Sequence, residues 1–105
     1  MIQNKEIYVA KLQNQILGYI IFNIKENSNP GIRCRKQLTI KAICVDENNR
    51  RKGIGKLLLE HAKNIAQDNH CTDMNLTVNQ ENTNAIKLYE EFGFKLKNIA
   101  YSMKL

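Results

Sequence analysis

Seven consecutive residues, Arg50-Arg51-Lys52-Gly53-Ile54-Gly55-Lys56, have types and spacing suited to holding an anion. Glycine at 53 and 55 lets the backbone turn sharply and lets a ligand reach main-chain N–H groups without a Cβ in the way. A helix opening at this point adds free N–H donors and the positive end of its dipole, which together make a phosphate site. The four basic side chains add long-range attraction, so the loop suits a pyrophosphate. It lacks the spacing of a Walker loop and the third glycine of a dinucleotide fingerprint. Taken alone, it fits a helix start with a basic, solvated face equally well. The thiols Cys34, Cys44 and Cys71 are odd in number and unevenly spaced, so they read as reduced cysteines. His61 and His70 lack the second pair of ligands that a zinc site needs, so no metal is expected.

The elements that position this loop follow from hydrophobic periodicity. Alternation over 6–12 and a β-rich run over 16–24, joined by a turn at Asn14-Gln15, predict a hairpin. A third strand over 37–45 places Leu38, Ile40, Ala42 and Cys44 on one face and Thr39, Lys41, Ile43 and Val45 on the other. Its apolar end predicts burial on both faces, which makes Cys44 a buried strand residue. After 46–49 the period changes. Ile54, Leu57, Leu58, His61, Ala62, Ile65 and Ala66 recur at steps of three and four, the pattern of an amphipathic helix. Met74, Leu76 and Val78 alternate as a short strand, and a second helix follows with Asn82, Thr83 or Asn84 as N-cap. Its inner stripe is Ala85, Leu88, Tyr89 and Phe92, and Gly93 closes it as a left-handed cap. Strands over 94–97 and 100–104 complete the order β-β-β-α-β-α-β-β. The predicted fold class is α/β in the broad α+β sense, a mixed, mostly antiparallel sheet with two main helices, in one domain spanning 1–105.

Composition agrees with a single folded unit. The chain has 105 residues, 43% hydrophobic and 25% charged, with one proline and five glycines. No apolar run approaches the ~18 residues that cross a bilayer, and the first residues lack a signal-peptide pattern, so a cytoplasmic location is the expectation. The net charge of +6 lies in one place: eight basic and two acidic residues fall between 33 and 56. Such a cluster implies a polyanion met locally, either nucleic acid or a phosphorylated cofactor. Nucleic acid ranks lower, because no aromatic residue for base stacking lies between Phe22 and Tyr89.

The loop Arg50-x-x-Gly53-x-Gly55, taken with Asn82-x-x-Ala85-x-x-Leu88-Tyr89-x-x-x-Gly93-Phe94, resembles the GCN5-related N-acetyltransferase (GNAT) family. The resemblance runs from about residue 6 to 105. It implies an N-acetyltransferase with acetyl-coenzyme A as cofactor and an amine as acceptor. It further implies that the backbone of Ile43, Cys44 and Val45 pairs with the pantetheine arm. The pyrophosphate would rest on the N–H groups of Arg51, Lys52, Gly53, Ile54, Gly55 and Lys56, with Arg50 opening the motif and Asn82 contacting the cofactor from the next strand–helix junction. Tyr89 matches the family's general acid, which protonates the departing thiolate. A phenol of pKa about 10 is suited to that task at neutral pH. Cys44 as an acyl-enzyme nucleophile is disfavoured, since no histidine is near it in sequence.

Two features depart from the family pattern. The positions where members carry a catalytic carboxylate hold Thr39 and Thr77, so the general base is not assigned. The strand and helices that usually precede the first hairpin are not in this sequence. The acceptor groove is then open, or walled by a second subunit in a homodimer, or truncated. A coenzyme A-binding module with little or no transfer activity is the alternative function.

Overall fold

The computed structural model describes residues 4–12, 15–27, 35–46 and 53–105. Three strands come first: β1 (Asn4–Leu12), β2 (Gln15–Asn27) and β3 (Arg35–Val45). Helix α1 (Ile54–Asp68), strand β4 (Asp73–Leu76) and helix α2 (Thr83–Phe92) follow. The sheet order is β1-β2-β3-β4. β1 with β2 and β2 with β3 are antiparallel, whereas β3 and β4 are parallel. The parallel pair requires a crossover, and α1 supplies it. The mixed sheet with two helices is the fold class expected.

The core lies between one face of this sheet and α1. Ile20 and Phe22 of β2, Leu38 and Ile40 of β3, Leu58, Leu59, Ala62 and Ala66 of α1, and Tyr89 of α2 form one buried cluster. Fully burying a residue such as Phe22 or Leu38 stabilises the fold by about 1.5–3 kcal/mol. The stripe on α1 bears out Leu58, Ala62 and Ala66, with Ile54 and Ile65 packed beside them, and adds Leu59. Leu57 and His61 are exposed, because the helix turns Leu59 rather than Leu57 under the sheet. Helix α2 follows the sequence closely. The Asn82 side chain caps it by accepting from the Ala85 N–H at 3.3 Å, and Gly93 ends it at φ 124°. A β-branched or bulky side chain at that φ would be strained.

β3 departs from its expected alternation. Phe22 pairs with Ile40, and the next position, Ile21, pairs with Ala42, so Lys41 is the extra residue of a β-bulge. A bulge shifts the side-chain phase by one. Leu38 and Ile40 therefore share the core face with Ile43 and Val45, not with Ala42 and Cys44. Cys44 is exposed, which corrects its expected burial. The apolar run at this end of β3 reflects a change of phase rather than coverage on both faces.

The two strands expected over 94–97 and 100–104 do not form: residues 94–105 carry no strand. Pairing them requires Asn98-Ile99 as a two-residue hairpin loop. The favoured turns of that length need φ > 0, and a β-branched residue such as Ile99 is a poor fit there. Among the described residues, no helix is long and apolar enough to cross a membrane.

Candidate functional site

Parallel pairing between β3 and β4 starts at Gln37 with Asp73 and stops at Ile40 with Leu76. β3 continues to Val45, paired on its other side with β2. From Lys41 onward, β3 faces not a strand but the segment 77–79 that leaves β4. The bulge at Lys41 sits where the two diverge. A cleft of about 190 Å³ occupies the gap. One wall is Ile40, Lys41, Ala42 and Ile43, and the other is Leu76, Thr77, Val78 and Asn79, with Asn82 and Tyr89 closing it. Backbone groups on the cleft side of 41–45 have no ladder partner among the described strands, and an extended ligand can satisfy them by adding as a strand.

Tyr89 reaches the cleft because the Asn82 cap fixes the start of α2 and the 3.6-residue period then turns Tyr89 inward. It is buried, and its ring meets Phe94 edge-on at 6.0 Å between centroids. Burial raises the Tyr89 pKa above its ordinary value, so the hydroxyl stays protonated throughout the neutral range. Asn82 is held by a turn as well as by its cap. Its N–H donates to the Asn79 carbonyl at 2.9 Å, and the Glu81 N–H donates to the Asn79 side-chain oxygen at 2.9 Å.

Past the far end of β3, the described chain resumes at Gly53, where α1 opens. Gly53 caps α1 with φ 78°, a left-handed conformation natural to glycine. The first helical bond in α1 is the Leu57 N–H to the Gly53 carbonyl, 3.0 Å; the N–H groups of Ile54, Gly55 and Lys56 precede it and are the free donors of a helix start. A Cβ on Gly55 would lie 3.0 Å from Leu88 Cδ2 and 3.9 Å from Val45 Cγ2. The start of α1 is thus seated between the end of β3 and α2.

Ile43, Asn82 and Tyr89 therefore meet at one cleft; Val45 and Gly55 pack at the start of α1, and Val45, Gly53, Ile54, Gly55 and Lys56 are not in the cleft lining. Cys44 is on the strand but not in the cleft lining. Arg50, Arg51 and Lys52 lie outside the described residues. Of the two threonines at the family's carboxylate positions, Thr77 lines the cleft, whereas Thr39 pairs with Asn75 inside the closed part of the sheet. Sequence reasoning did not identify Lys41 or Asn79. The bulge has no signature in one strand alone, while Asn79 opens the polar run Asn79-Gln80-Glu81-Asn82, whose turn chemistry was legible. No group of three or more His, Cys, Asp or Glu suited to a metal occurs among the described residues.

Residues 1–94 match the model of the Acetyltransferase (GNAT) family. The chain is 35% identical over 96 residues to an N-alpha-acetyltransferase of Saccharolobus solfataricus, covering 84% of this chain and 55% of that protein. It is 38% identical over 55 residues to the peptidyl-lysine N-acetyltransferase YjaB of Salmonella typhimurium, covering 52% of this chain and 34% of that protein. The chain thus spans about a third to a half of these relatives. Its fold matches AAC(6')-Iy, solved with a coenzyme A bisubstrate analogue, at a TM-score of 0.81 and 19% identity, covering 96% of this chain and 69% of that one.

Proposed function

The chain belongs to the GNAT family of acetyltransferases, and from that membership we propose that it transfers an acetyl group from acetyl-coenzyme A to an amine by direct attack. One observation carries the reading: β3 and β4 part at a bulge, and the resulting cleft sets Tyr89 and Asn82 beside the open strand edge at Lys41, Ala42 and Ile43. The relatives named as N-acetyltransferases and the coenzyme A analogue bound by AAC(6')-Iy support it.

The residues fit such a cofactor. The backbone of Ile43, Cys44 and Val45 pairs with the pantetheine amides as an added strand does. The N–H groups of Arg51, Lys52, Gly53, Ile54, Gly55 and Lys56 hold the pyrophosphate, with Arg50 adding charge. Asn82 steadies the arm from the opposite wall. When bound, acetyl-coenzyme A supplies a thioester carbon open to attack and a thiolate leaving group. Backbone N–H groups near the bulge polarise the carbonyl as negative charge develops on its oxygen. The Tyr89 hydroxyl donates its proton to the sulfur as the C–S bond breaks. It is reprotonated through water as the amine nitrogen loses a proton. Holding amine and thioester together supplies several kcal/mol of the acceleration, on the order of what proximity provides elsewhere. The acceptor is an amine of a small molecule or a peptide.

The test joins a binding titration with acetyl-coenzyme A to thiol release on a panel of amines and peptides. Binding with turnover that falls about 10²–10⁴-fold in Tyr89→Phe supports the transferase and its acid. Binding without turnover on any acceptor favours a coenzyme A-binding module. Absence of binding overturns both readings.

A further inference from the structure

Among the described residues, the cleft lining contains no Asp or Glu; its ionisable side chains are Lys41 and Tyr89. Burial keeps the Tyr89 hydroxyl protonated in the neutral range, so Lys41, exposed at the bulge, is the one formal charge in that lining. The facing wall offers Thr77 and Asn79, both neutral. The sheet surface beside the cleft is no more acidic. Thr39 lies between Asn23 and Asn75 in register, on the face opposite the buried Leu38 and Ile40. Two residues further along β3, Gln37 pairs with Asp73, but both carboxylate oxygens there are engaged. One accepts from Gln37 Nε2 at 2.9 Å and the other from Thr72 Oγ1 at 2.6 Å. Glu81, in the turn that carries Asn79 and Asn82, is exposed and outside the lining.

We infer that the acceptor is an α-amine with a carboxylate close to it on the same molecule, an amino acid or the acidic N-terminus of a peptide, and that the Lys41 ammonium selects it by pairing with that carboxylate. The inference rests on the transfer reading above. An acceptor amine must lose a proton before it attacks, and the lining holds no carboxylate to take one. An α-amine, with a pKa of about 7.7–8.0, is free in roughly one molecule in ten at pH 7, whereas a lysine side chain, at about 10.4, is free in fewer than about one in a thousand. A neighbouring cation tilts the acceptor further toward its neutral form. The same cation repels an acceptor that brings additional positive charge, and a carboxylate on the acceptor offsets that repulsion. In the step itself the amine nitrogen bonds to the carbonyl carbon, the C–S bond breaks, the sulfur takes the Tyr89 proton, and the proton lost by nitrogen returns to Tyr89 through water. Lys41 moves no proton; it sorts acceptors by charge.

The test measures kcat/KM by thiol release at low salt on three amidated peptides that differ only at their second and third residues, Glu-Glu, Gln-Gln or Lys-Lys. Free glutamate and an N-terminally blocked lysine peptide are run beside them. The acidic peptide is expected to exceed the basic one by about fivefold or more, since an exposed ion pair gives up to about fivefold and like-charge repulsion adds to it. Raising the salt concentration should shrink that ratio. Lys41→Gln should bring it close to one, and Lys41→Glu should invert it; because the ratio is taken within each variant, a loss common to all acceptors cancels. Turnover of free glutamate as fast as of the acidic peptide identifies an amino acid as the acceptor, and turnover of the peptide alone identifies an acidic N-terminus; either supports the inference. A ratio near one in the wild type, a ratio that survives in Lys41→Glu, or preferred acetylation of the blocked lysine peptide overturns the inference while leaving the transferase standing. No turnover on any acceptor, with coenzyme A bound, overturns both.

Discussion

β3 does two jobs along one strand. Its first half, 38–40, is paired with β2 on one side and β4 on the other, and Leu38 and Ile40 are 0% and 6% exposed. Its second half, 41–45, is paired with β2 alone and borders the cleft. The first half is held by its side chains. The second half offers its backbone. A bulge at the boundary turns Ile43 and Val45 back to the core, so the strand stays anchored after its ladder on the β4 side has ended. Strand parting thus leaves an open strand edge without exposing the core beneath it.

The contrast is tested first by substitutions that fall on either side of the boundary. Tyr89→Phe removes only the hydroxyl at the cleft: the account expects the large loss of turnover given above with thermal stability changed by less than the loss in Leu38→Ala. Leu38→Ala acts on the closed half and is expected to lose about 2–5 kcal/mol in urea denaturation. Coenzyme A affinity of the protein that remains folded should stay within about twofold in Leu38→Ala, since Leu38 is not in the cleft lining. Gly18→Ala strikes the back of the open half, because its Cβ would lie 2.6 Å from the Cys44 carbonyl oxygen. Backbone must shift, so stability should fall by about 1–3 kcal/mol, and coenzyme A binding, read by calorimetry, should weaken with it. Asn82→Ala removes a cap worth about 1 kcal/mol; melting temperature and cofactor affinity should both decline.

The smallest effect is in pH. Burial raises the Tyr89 pKa and, against the lowering effect of Lys36 and with the help of Asp73, the Cys71 pKa. For both groups the folded chain holds its proton to higher pH than the unfolded chain does. Their contribution is fully present below the unfolded values and is lost as pH rises through the folded ones. Stability is therefore expected to be flat across neutral pH and to decline above about 8.5 for the thiol and about 10 for the phenol. Denaturation series in Cys71→Ser and Tyr89→Phe should each lose their part of that decline.

Much of this was legible before any coordinates. Asn82, Tyr89 and Gly93 are dictated by helix capping and period, which are local, so their spacing alone placed them. Gly53 was legible for the same reason, since few other residues tolerate φ 78°. The bulge at Lys41 was not, because register is a property of two strands and the alternation of β3 read alone gave the wrong face to Ile43 and Val45. The cleft was legible only through family resemblance, since its central groups are backbone amides that no side-chain motif encodes. At 94–105 the two strands expected do not form, because pairing also needs a turn, and Asn98-Ile99 does not provide one.

Amide hydrogen exchange with and without coenzyme A tests the central claim most directly. The account predicts that amides on the cleft side of 41–45 slow by about tenfold or more on binding, since each gains a partner, while those of 38–40 are unchanged. Tight binding that leaves 41–45 exchanging as before would contradict it, because the open half of β3 would then not be the edge on which the cofactor lies.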